Sequence, residues 1–479
     1  MRFLESNIND VVGAMNFWDS NVWNMLIHLG ILALVILLSN ILRRNVKFIR
    51  ESLIPTPVLG GIILLIFKLI PWVNDQIDET FMEMLTYHML GLGFLAVAIK
   101  RPTKKEKVDD NKMVAMDTGL ITVATYLIQA VVGLGLTILL AVTFMPDLFH
   151  ACGILLPMGY GQGTGQALNF GGIFEERGFV GGKSFGLTVA AIGFLVACVI
   201  GVIYMNYLKR KGKLKFDEIE KKSNEIDMDE VHGVDDLPLT ESMDKLTVQV
   251  CIILVGYLLT FLLMLGFDKL AVNFMGDFGT KTVRPLVWGF NFIFASIVGV
   301  VMKKGMFILK SKNIMKRHYP NNFLLNRISG LFFDIMIISG IAAINLNNLG
   351  ELFIPLVVIC VVGAIVTFIY VKMICYYTYP NYKYEAFFAM FGMLTGTAST
   401  GMALLKEIDP KLETPAANNL VIQQFPAILF GFPLLLLIPY SANSITTGLI
   451  VLGIASVMFV AYNAILLRKK IFKKKNKQE

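Results

Sequence analysis

Gly159-Tyr-Gly-Gln-Gly-Thr-Gly-Gln-Ala-Leu-Asn169 and Thr395-Gly-Thr-Ala-Ser-Thr-Gly-Met-Ala403 are two short polar segments in an otherwise apolar chain, one in each half. An unpaired backbone N–H or C=O is costly in lipid, so glycine-rich backbone at membrane depth must be buried in protein or line a wet cavity. Two such segments at corresponding places in two halves indicate the binding site of a transporter.

The composition is that of a membrane protein. Of the 479 residues, 55% are hydrophobic and 16% are charged, whereas a soluble domain carries about 25% charged residues. The net charge is +8, but the lysines and arginines lie in short loops between apolar spans, as membrane topology predicts. We therefore expect a polytopic protein whose surroundings are the lipid bilayer, with no nucleic acid as partner.

Eleven apolar segments are long enough to cross a bilayer, which takes roughly 17–25 residues. Two more apolar segments, at about 150–175 and 384–406, are interrupted by the glycine and threonine runs. We predict that these two are re-entrant hairpins, which enter the membrane and return on the same side. The eleven predicted spans lie at about 23–42, 55–72, 82–99, 117–145, 183–208, 246–266, 285–302, 328–346, 352–374, 416–440 and 445–467.

The basic residues fix the predicted orientation. Basic clusters follow spans one, three, five, seven and eleven, whereas the acidic residues Asp75, Asp78 and Glu79 follow span two. If the N-terminus is outside, every basic cluster is cytoplasmic, as the positive-inside rule requires. Counting either hairpin as a full span would place the clusters after it on the wrong side. We therefore predict an outside N-terminus and a cytoplasmic C-terminus.

This scheme predicts an inverted repeat, because each half has five spans with a hairpin between the fourth and the fifth, and the halves begin on opposite sides of the membrane. The predicted fold class is an all-α polytopic membrane protein with two inverted repeats of five transmembrane helices, each with a re-entrant hairpin, plus an extra C-terminal transmembrane helix. The predicted units are a first repeat at 1–208, a charged cytoplasmic linker at 209–245, a second repeat at 246–440, and the extra helix with its basic cytoplasmic tail at 441–479.

The hairpin tips offer groups that bind a small solute and a cation. Helix ends expose N–H groups that attract a carboxylate and C=O groups that coordinate Na⁺, and glycine lets a ligand approach the backbone. The alternative is that the small residues only allow tight helix packing. The candidate substrate- and ion-binding residues in the hairpins are Gly161, Gln162, Gly163, Thr164, Gly165, Gln166, Asn169, Thr395, Gly396, Thr397, Ser399, Thr400 and Gly401.

Asp334 is an acidic residue inside the predicted eighth span. A charged group at the centre of a span costs about 2.5–3.5 kcal/mol on insertion scales, so it should face the bundle interior or water. One interpretation is a cation ligand or proton carrier, and the other is an ion pair with Arg327 two helical turns earlier. The candidate Na⁺ ligands are Thr164, Asp334, Ser399 and Thr400. Apart from Na⁺ as the coupling ion, no cofactor is expected.

The sequence shows no catalytic motif. The run Gly161–Gly165 is not followed by Gly-Lys-Thr/Ser and has no βαβ context, so it does not predict a phosphate loop. The five histidines show no HExxH spacing, and the five cysteines lie in or at the ends of apolar segments without a CxxC pair. We expect no enzymatic activity.

Further motifs are shared with a known transporter family. Residues Ile54-Pro-Thr-Pro-Val-Leu-Gly-Gly61 are similar to that family's Ile-Pro-x-Pro-Val-x-Gly-Gly, and Gly161-Gln-Gly-Thr-Gly-Gln-Ala167 to its Gly-His-Gly-Thr-Gly-Ala-Ala. Phe174-Glu-Glu-Arg-Gly-Phe179 is similar to its Ile-Glu-Arg-Tyr-Gly-Phe, and Tyr384-Glu-Ala386 to its Tyr-Asp-Ala. Over residues of about 25–440 the chain thus resembles a divergent member of the bacterial sodium/glutamate symporter (ESS) family. It departs from the family where Gln162 replaces a histidine and where Asp334 replaces a small apolar residue.

The resemblance implies Na⁺-coupled symport of L-glutamate, or of a related amino acid or dicarboxylate, into the cell. It also implies a scaffold domain and a transport domain, a homodimer, an elevator-type alternating-access movement and a place in the bacterial cytoplasmic membrane. A proton-coupled carboxylate or amino-acid transporter of the same architecture, with Asp334 as proton carrier, is the alternative. A channel and a membrane sensor are further alternatives.

Overall fold

The chain folds into helices joined by short turns. The structure, a computed structural model, describes residues 20–74, 76–101, 111–214, 245–315, 319–410 and 414–468. Most of the predicted linker, the basic tail after Arg468 and parts of two basic clusters lie outside these ranges, as does Asp75. The helices of the first half are α1 (Ser20–Asn45), α2 (Lys47–Glu51), α3 (Thr56–Phe67), α4 (Pro71–Asn74), α5 (Glu79–Ile99), α6 (Asn111–Thr143), α7 (Leu155–Tyr160), α8 (Thr164–Glu175) and α9 (Gly182–Arg210).

The second half has the same character, and no strand occurs in the described ranges. Its helices are α10 (Lys245–Phe278), α11 (Arg284–Gly289), α12 (Asn291–Ser311), α13 (Asn322–Ala342), α14 (Phe353–Thr378), α15 (Lys383–Thr395), α16 (Ala398–Lys406), α17 (Ala416–Ile422), α18 (Gln424–Ser441) and α19 (Ile445–Leu466).

The long helices are membrane spans by length and composition. In the described part of the chain, nine helices are long and apolar enough to cross a membrane. Helices α17 and α18 form a tenth candidate that is bent by 53° where the two meet, so the predicted span 416–440 is broken. The predicted all-α polytopic membrane fold is therefore confirmed.

The second predicted span, at 55–72, is shorter than expected. Helix α3 has only 12 residues, which is about 18 Å of helix, less than the ~30 Å hydrocarbon core. It ends at Phe67, and the side chain of the next residue, Lys68, turns inward. The Lys68 Nζ atom donates to Glu79 Oε1 at 2.7 Å and to the carbonyl oxygens of Ala342 and Ile344 at 3.0 Å each. This lysine therefore fixes the end of α3 against the end of α13.

The segment at 150–175, which we call hairpin 1, folds back on itself. Helix α7 ends at Tyr160, and α8 begins at Thr164 after a short break. The rings of Phe149 and Phe174 lie just before the segment and near its end, with centroids 5.4 Å apart. The chain thus folds back toward its starting point, and its re-entry into a membrane stays a prediction.

The segment at 384–406, which we call hairpin 2, also folds back. Helices α15 and α16 are separated by a break at Gly396–Thr397. A Cβ atom on Gly392 would lie 2.7 Å from the Cα atom of Gly401, although a straight helix would separate these residues by about 13 Å. The two helices therefore pack backbone to backbone, and glycine is required at this contact because no side chain fits.

The two hairpins approach from opposite ends of α6. Near the C-terminal end of this helix, the Thr137 hydroxyl donates to the His150 carbonyl oxygen at 2.8 Å and accepts from the Gly153 N–H at 3.2 Å. Near its N-terminal end, the Thr118 hydroxyl lies 2.6 Å from the Tyr379 hydroxyl, just before hairpin 2. The predicted inverted repeat needs this opposed arrangement. The repeat itself and the boundaries of its units stay predictions.

Candidate functional site

The tips of the two hairpins and Asp334 line one cavity of about 260 Å³. This volume far exceeds the ~10–15 Å³ that one water molecule needs and is close to the ~300 Å³ of small ligand pockets. Helices α5, α6, α12, α13 and α18 supply other parts of the wall. The two segments that lie more than 200 residues apart in sequence therefore form one site in space.

Hairpin 1 contributes Gly161, Gln162 and Gln166 to the cavity wall. The Tyr126 hydroxyl of α6 donates to the Gly161 carbonyl oxygen at 3.1 Å and so holds the end of α7 in place. Gly163 precedes α8 with φ 80° and ψ −170°, a backbone conformation that is essentially restricted to glycine. This conformation directs the first turn of α8, which contains Gln166, toward the cavity.

Gln166 is the least satisfied polar side chain of the site. Only 2% of the residue is exposed, yet neither its amide oxygen nor its amide nitrogen has a hydrogen-bond partner among the described residues. Buried polar atoms normally have partners, because an unsatisfied one costs about 1–3 kcal/mol. An amide that faces a cavity can both donate to and accept from a bound solute.

The other predicted residues of hairpin 1 hold it to its neighbours. The Thr164 hydroxyl is buried and donates to the Met336 carbonyl oxygen of α13 at 3.3 Å. Gly165 faces Leu90, where an added Cβ would lie 2.8 Å from a methyl group. The Asn169 amide donates to the Gly289 carbonyl oxygen at 2.8 Å. None of these three lies on the cavity wall.

Hairpin 2 contributes Gly396, Thr397 and Ser399. Thr397 precedes α16 as its N-cap residue, with a hydroxyl that accepts from the Thr400 N–H at 3.4 Å and lies 3.2 Å from the Thr400 hydroxyl. A Cβ atom on Gly163 would lie 3.8 Å from the Thr397 methyl group. The two hairpin tips are therefore in van der Waals reach of each other.

Three predicted residues of hairpin 2 are packed inside it. The Thr395 hydroxyl is buried and donates to the Phe391 carbonyl oxygen at 2.8 Å. Thr400 is also buried, and Gly401 lies against the Ala389 carbonyl group. These residues position the tip, whereas their neighbours line the cavity.

Asp334 lies on the cavity wall, and its side chain is exposed there. Among the described residues, neither a hydrogen bond nor an ion pair involves its carboxylate. The alternative of an ion pair with Arg327 is not seen, since the Arg327 guanidinium lies over the ring of Phe323, 5.4 Å from its centroid. An exposed, unpaired carboxylate in a membrane-embedded cavity is suited to bind a cation.

An aromatic wall on α5, α12 and α13 is the feature that sequence analysis missed. The ring of Phe94 makes edge contacts with Phe292 and Phe333, with centroids 5.2 Å and 5.7 Å apart. All three line the cavity. No periodicity distinguishes them, because apolar residues cover every face of these spans.

A second cavity of about 570 Å³ borders helix α16 of hairpin 2. It is lined by Arg43 and Leu53 from the first half and by residues of α16 that include Lys406. Ala398 and Ser399 are exposed and line both cavities. The tip of hairpin 2 thus borders both spaces.

The predicted Na⁺ ligands fall into two places. Asp334 and Ser399 are on the cavity wall, whereas Thr164 and Thr400 are fully buried behind it. In the ranges that the structure describes, no group of three or more His, Cys, Asp or Glu side chains is arranged to hold a metal ion. An Na⁺ site here would be built from hydroxyl, carbonyl and single carboxylate oxygens, and its ligand set stays a prediction.

Comparison with known proteins gives one match. The model of the sodium/glutamate symporter family matches residues 22–408, which include both hairpins and Asp334. No curated protein and no solved structure matches the chain. Because the family match extends over most of the 479 residues, this multi-pass membrane protein belongs to the sodium/glutamate symporter family, a family of transporters.

Proposed function

We propose that this protein is a Na⁺-coupled symporter that carries a small amino acid or a dicarboxylate into the cell through the cavity between the hairpin tips. One observation carries the proposal: both glycine-rich tips and the unpaired carboxylate of Asp334 line the same cavity. L-Glutamate is the first solute to test, because it is the substrate in the description of the family.

The chemistry of the tips supports symport. Helices α8 and α16 begin at the tips, so their free N–H groups face a bound carboxylate. Asp334 and Ser399 offer oxygen atoms to Na⁺ at the same cavity. A bound Na⁺ neutralises Asp334 and thereby favours a carboxylate beside it, which couples the two binding events.

The driving force is sufficient for accumulation. One net charge that crosses about 100 mV supplies about 2.3 kcal/mol. A tenfold Na⁺ gradient adds about 1.4 kcal/mol for each ion. Coupling further requires that the empty or half-loaded carrier moves poorly, so the hairpins must respond to occupancy.

An elevator-type movement is part of the proposal. Gly193 in the middle of α9 contacts Tyr160 at one tip and the Thr395 carbonyl oxygen at the other. This close packing supports a transport domain in which both hairpins move together with α9 against a scaffold. A homodimer in the bacterial cytoplasmic membrane, with the N-terminus outside, completes the proposal. Crosslinking of the protein in native membranes tests the dimer.

Proteoliposomes test the function directly. Uptake of radiolabelled L-glutamate and of other amino acids is measured with an inward Na⁺ gradient and with choline in its place. Uptake that needs Na⁺ supports the proposal. If folded protein takes up no amino acid or dicarboxylate in the presence of Na⁺, the proposal is contradicted.

A threonine pair tests the site. Thr400→Ala removes the hydroxyl that lies 3.2 Å from Thr397 at the tip of hairpin 2, and we expect uptake to be lost while expression stays near normal. Thr447→Ala is the matched control, because Thr447 makes the same kind of contact, 3.2 Å from Ser444, at the exposed start of α19. Equal uptake by the two variants would contradict the role of hairpin 2.

Proton coupling is the second candidate, and the exposed Asp334 without an ion pair favours it. A protonatable carboxylate in the cavity can carry H⁺ in place of Na⁺. In choline medium, an inward pH gradient drives uptake only if H⁺ is the coupling ion. Asp334→Asn then abolishes the effect of the pH gradient.

A further inference from the structure

The charges around the central cavity limit the solutes that it accepts. Among the described residues that line it, Asp334 is the only one with a full charge, and no lysine, arginine or histidine is present. The basic side chains of Arg43 and Lys406 line the second cavity and not this one. The central cavity therefore offers a carboxylate and no basic side chain to balance a second one.

This imbalance separates two classes of amino acid. With Asp334 ionised, a zwitterion and one Na⁺ leave the cavity neutral. L-Glutamate brings an additional carboxylate, which needs a further cation or remains uncompensated beside Asp334. Like charges at close range disfavour each other's ionised form.

Gln166 supplies the polar contact that a zwitterion needs. The residue lines the cavity and is 2% exposed, and its amide has no partner at either atom among the described residues. A turn of the side chain into the cavity would let a bound ligand satisfy both atoms. The amide nitrogen can donate to an α-carboxylate and the amide oxygen can accept from an α-ammonium group. The start of α8 lies beside it and adds backbone N–H donors.

The remaining wall favours an apolar side chain. The rings of Phe94, Phe292 and Phe333 form one contiguous surface of the cavity, with centroids 5.2 Å and 5.7 Å apart. Leu90 and Ile337 extend this surface. A side-chain carboxylate placed there loses its water without gaining a donor, whereas an apolar side chain gains from burial.

We propose that the solute carried by this site is a zwitterionic amino acid with an uncharged, apolar side chain, and not a dicarboxylate. Its ammonium group contacts Asp334, its carboxylate contacts Gln166 and the hairpin backbone, and its side chain packs on Phe94, Phe292 and Phe333. The inference rests on the proposed function, Na⁺-coupled transport through this cavity, and narrows its substrate class.

The experiment compares solutes in one preparation. Purified protein in proteoliposomes is given radiolabelled L-leucine, L-phenylalanine or L-glutamate with an inward Na⁺ gradient, and with choline as reference. We expect Na⁺-dependent uptake of the apolar amino acids with a kcat/KM at least about tenfold above that of L-glutamate. Na⁺-dependent uptake of L-glutamate that is equal or faster overturns this inference but leaves the proposed function intact. No Na⁺-dependent uptake of any solute by folded protein overturns both.

A pair of adjacent phenylalanines tests the aromatic wall. Phe333→Ala should lower the uptake of L-phenylalanine relative to that of L-alanine by about tenfold, because only the larger side chain reaches this wall. Phe332→Ala is the matched control, since Phe332 is on the same helix but packs against a different apolar cluster. A merely structural role would lower both rates equally. An unchanged ratio in Phe333→Ala therefore overturns the placement of the solute side chain.

Discussion

The Thr395 carbonyl oxygen lies 2.5 Å from the position that a Cβ atom on Gly193 would occupy. The same position is 2.8 Å from the ring of Tyr160. A single glycine in the middle of α9 thus allows the two hairpins to meet on the same face of this helix. The geometry of the cavity depends on this contact.

Gly193→Ala should therefore damage both stability and transport. The added methyl group meets a backbone oxygen that has no flexible end to move, and overpacking of this kind costs typically about 1–3 kcal/mol. We expect a lower apparent Tm and a large loss of Na⁺-dependent uptake. Gly453→Ala is the control, since no atom lies within 4 Å of its Cβ position in α19 and alanine favours a helix. A Gly193→Ala protein with the Tm and uptake of the unmodified chain would contradict the proposed contact.

Gly163→Val should abolish uptake because it strains the backbone of hairpin 1. The φ of 80° and ψ of −170° at Gly163 belong to a region where other residues pay about 1–3 kcal/mol, and relaxation moves the start of α8 away from the cavity. Gly212→Val is the matched control, because Gly212 also has a positive φ, 64°, but has no neighbour within 4 Å. Uptake assays of both variants distinguish the effect of backbone strain elsewhere in the chain from the effect of strain at the tip of hairpin 1. Equal losses in the two variants would argue against a role of hairpin 1 in the site.

Lys68→Met should destabilise the fold strongly. The side chain of Lys68 is 3% exposed and pairs with Glu79 at 2.7 Å, while its ammonium group also satisfies two carbonyl oxygens near the end of α13. Breaking a buried ion pair from one side costs about 3–5 kcal/mol. Lys47→Met is the control, because Lys47 forms an exposed pair with Glu51 at 3.9 Å, and such pairs contribute little. Thermal unfolding in detergent measures the Tm of both variants. A Tm for Lys68→Met as high as that of Lys47→Met would show that the Lys68–Glu79 pair has no structural role.

Cysteine labelling tests the opposed entry of the hairpins. Val180 follows hairpin 1 and is 80% exposed, and Glu407 follows hairpin 2 and is exposed. Of the five native cysteines only Cys251 is exposed. The labelling variants are therefore made in a Cys251→Ser protein, in which the remaining native cysteines are buried. We expect a membrane-impermeant thiol reagent to label Val180→Cys in intact cells and Glu407→Cys only after permeabilisation. Labelling of both from the same side would disprove the predicted orientation and, with it, the inverted repeat.

The helix breaks at the two tips were predictable because glycine and threonine interrupt an apolar pattern in a way that lipid does not tolerate. Asp334 could be singled out from the sequence for the same reason, because a carboxylate is unusual in an apolar span. Both predictions concern residues whose chemistry conflicts with their surroundings. The structure places Asp334 and the two tips on the same cavity wall.

The aromatic wall was not predictable, because Phe94, Phe292 and Phe333 have the same chemistry as residues that face lipid or core. The early end of α3 was missed for another reason. A hydropathy window tolerates one lysine, and the carbonyl groups that Lys68 meets are 274 and 276 residues away. Contacts between distant segments leave no local pattern, so neither the shape of the cavity nor the length of this helix follows from composition.

The position of Ser399 on both cavities has an electrical consequence. If water and ions fill both cavities, a membrane potential falls mainly across the protein at Ala398 and Ser399, which line both of them, and not evenly over the bilayer. In that case a cation that moves past Ser399 crosses most of the voltage over a short distance. The steepest part of the field is thereby concentrated on the tip of hairpin 2, and a small displacement of this tip moves an ion through nearly the whole potential.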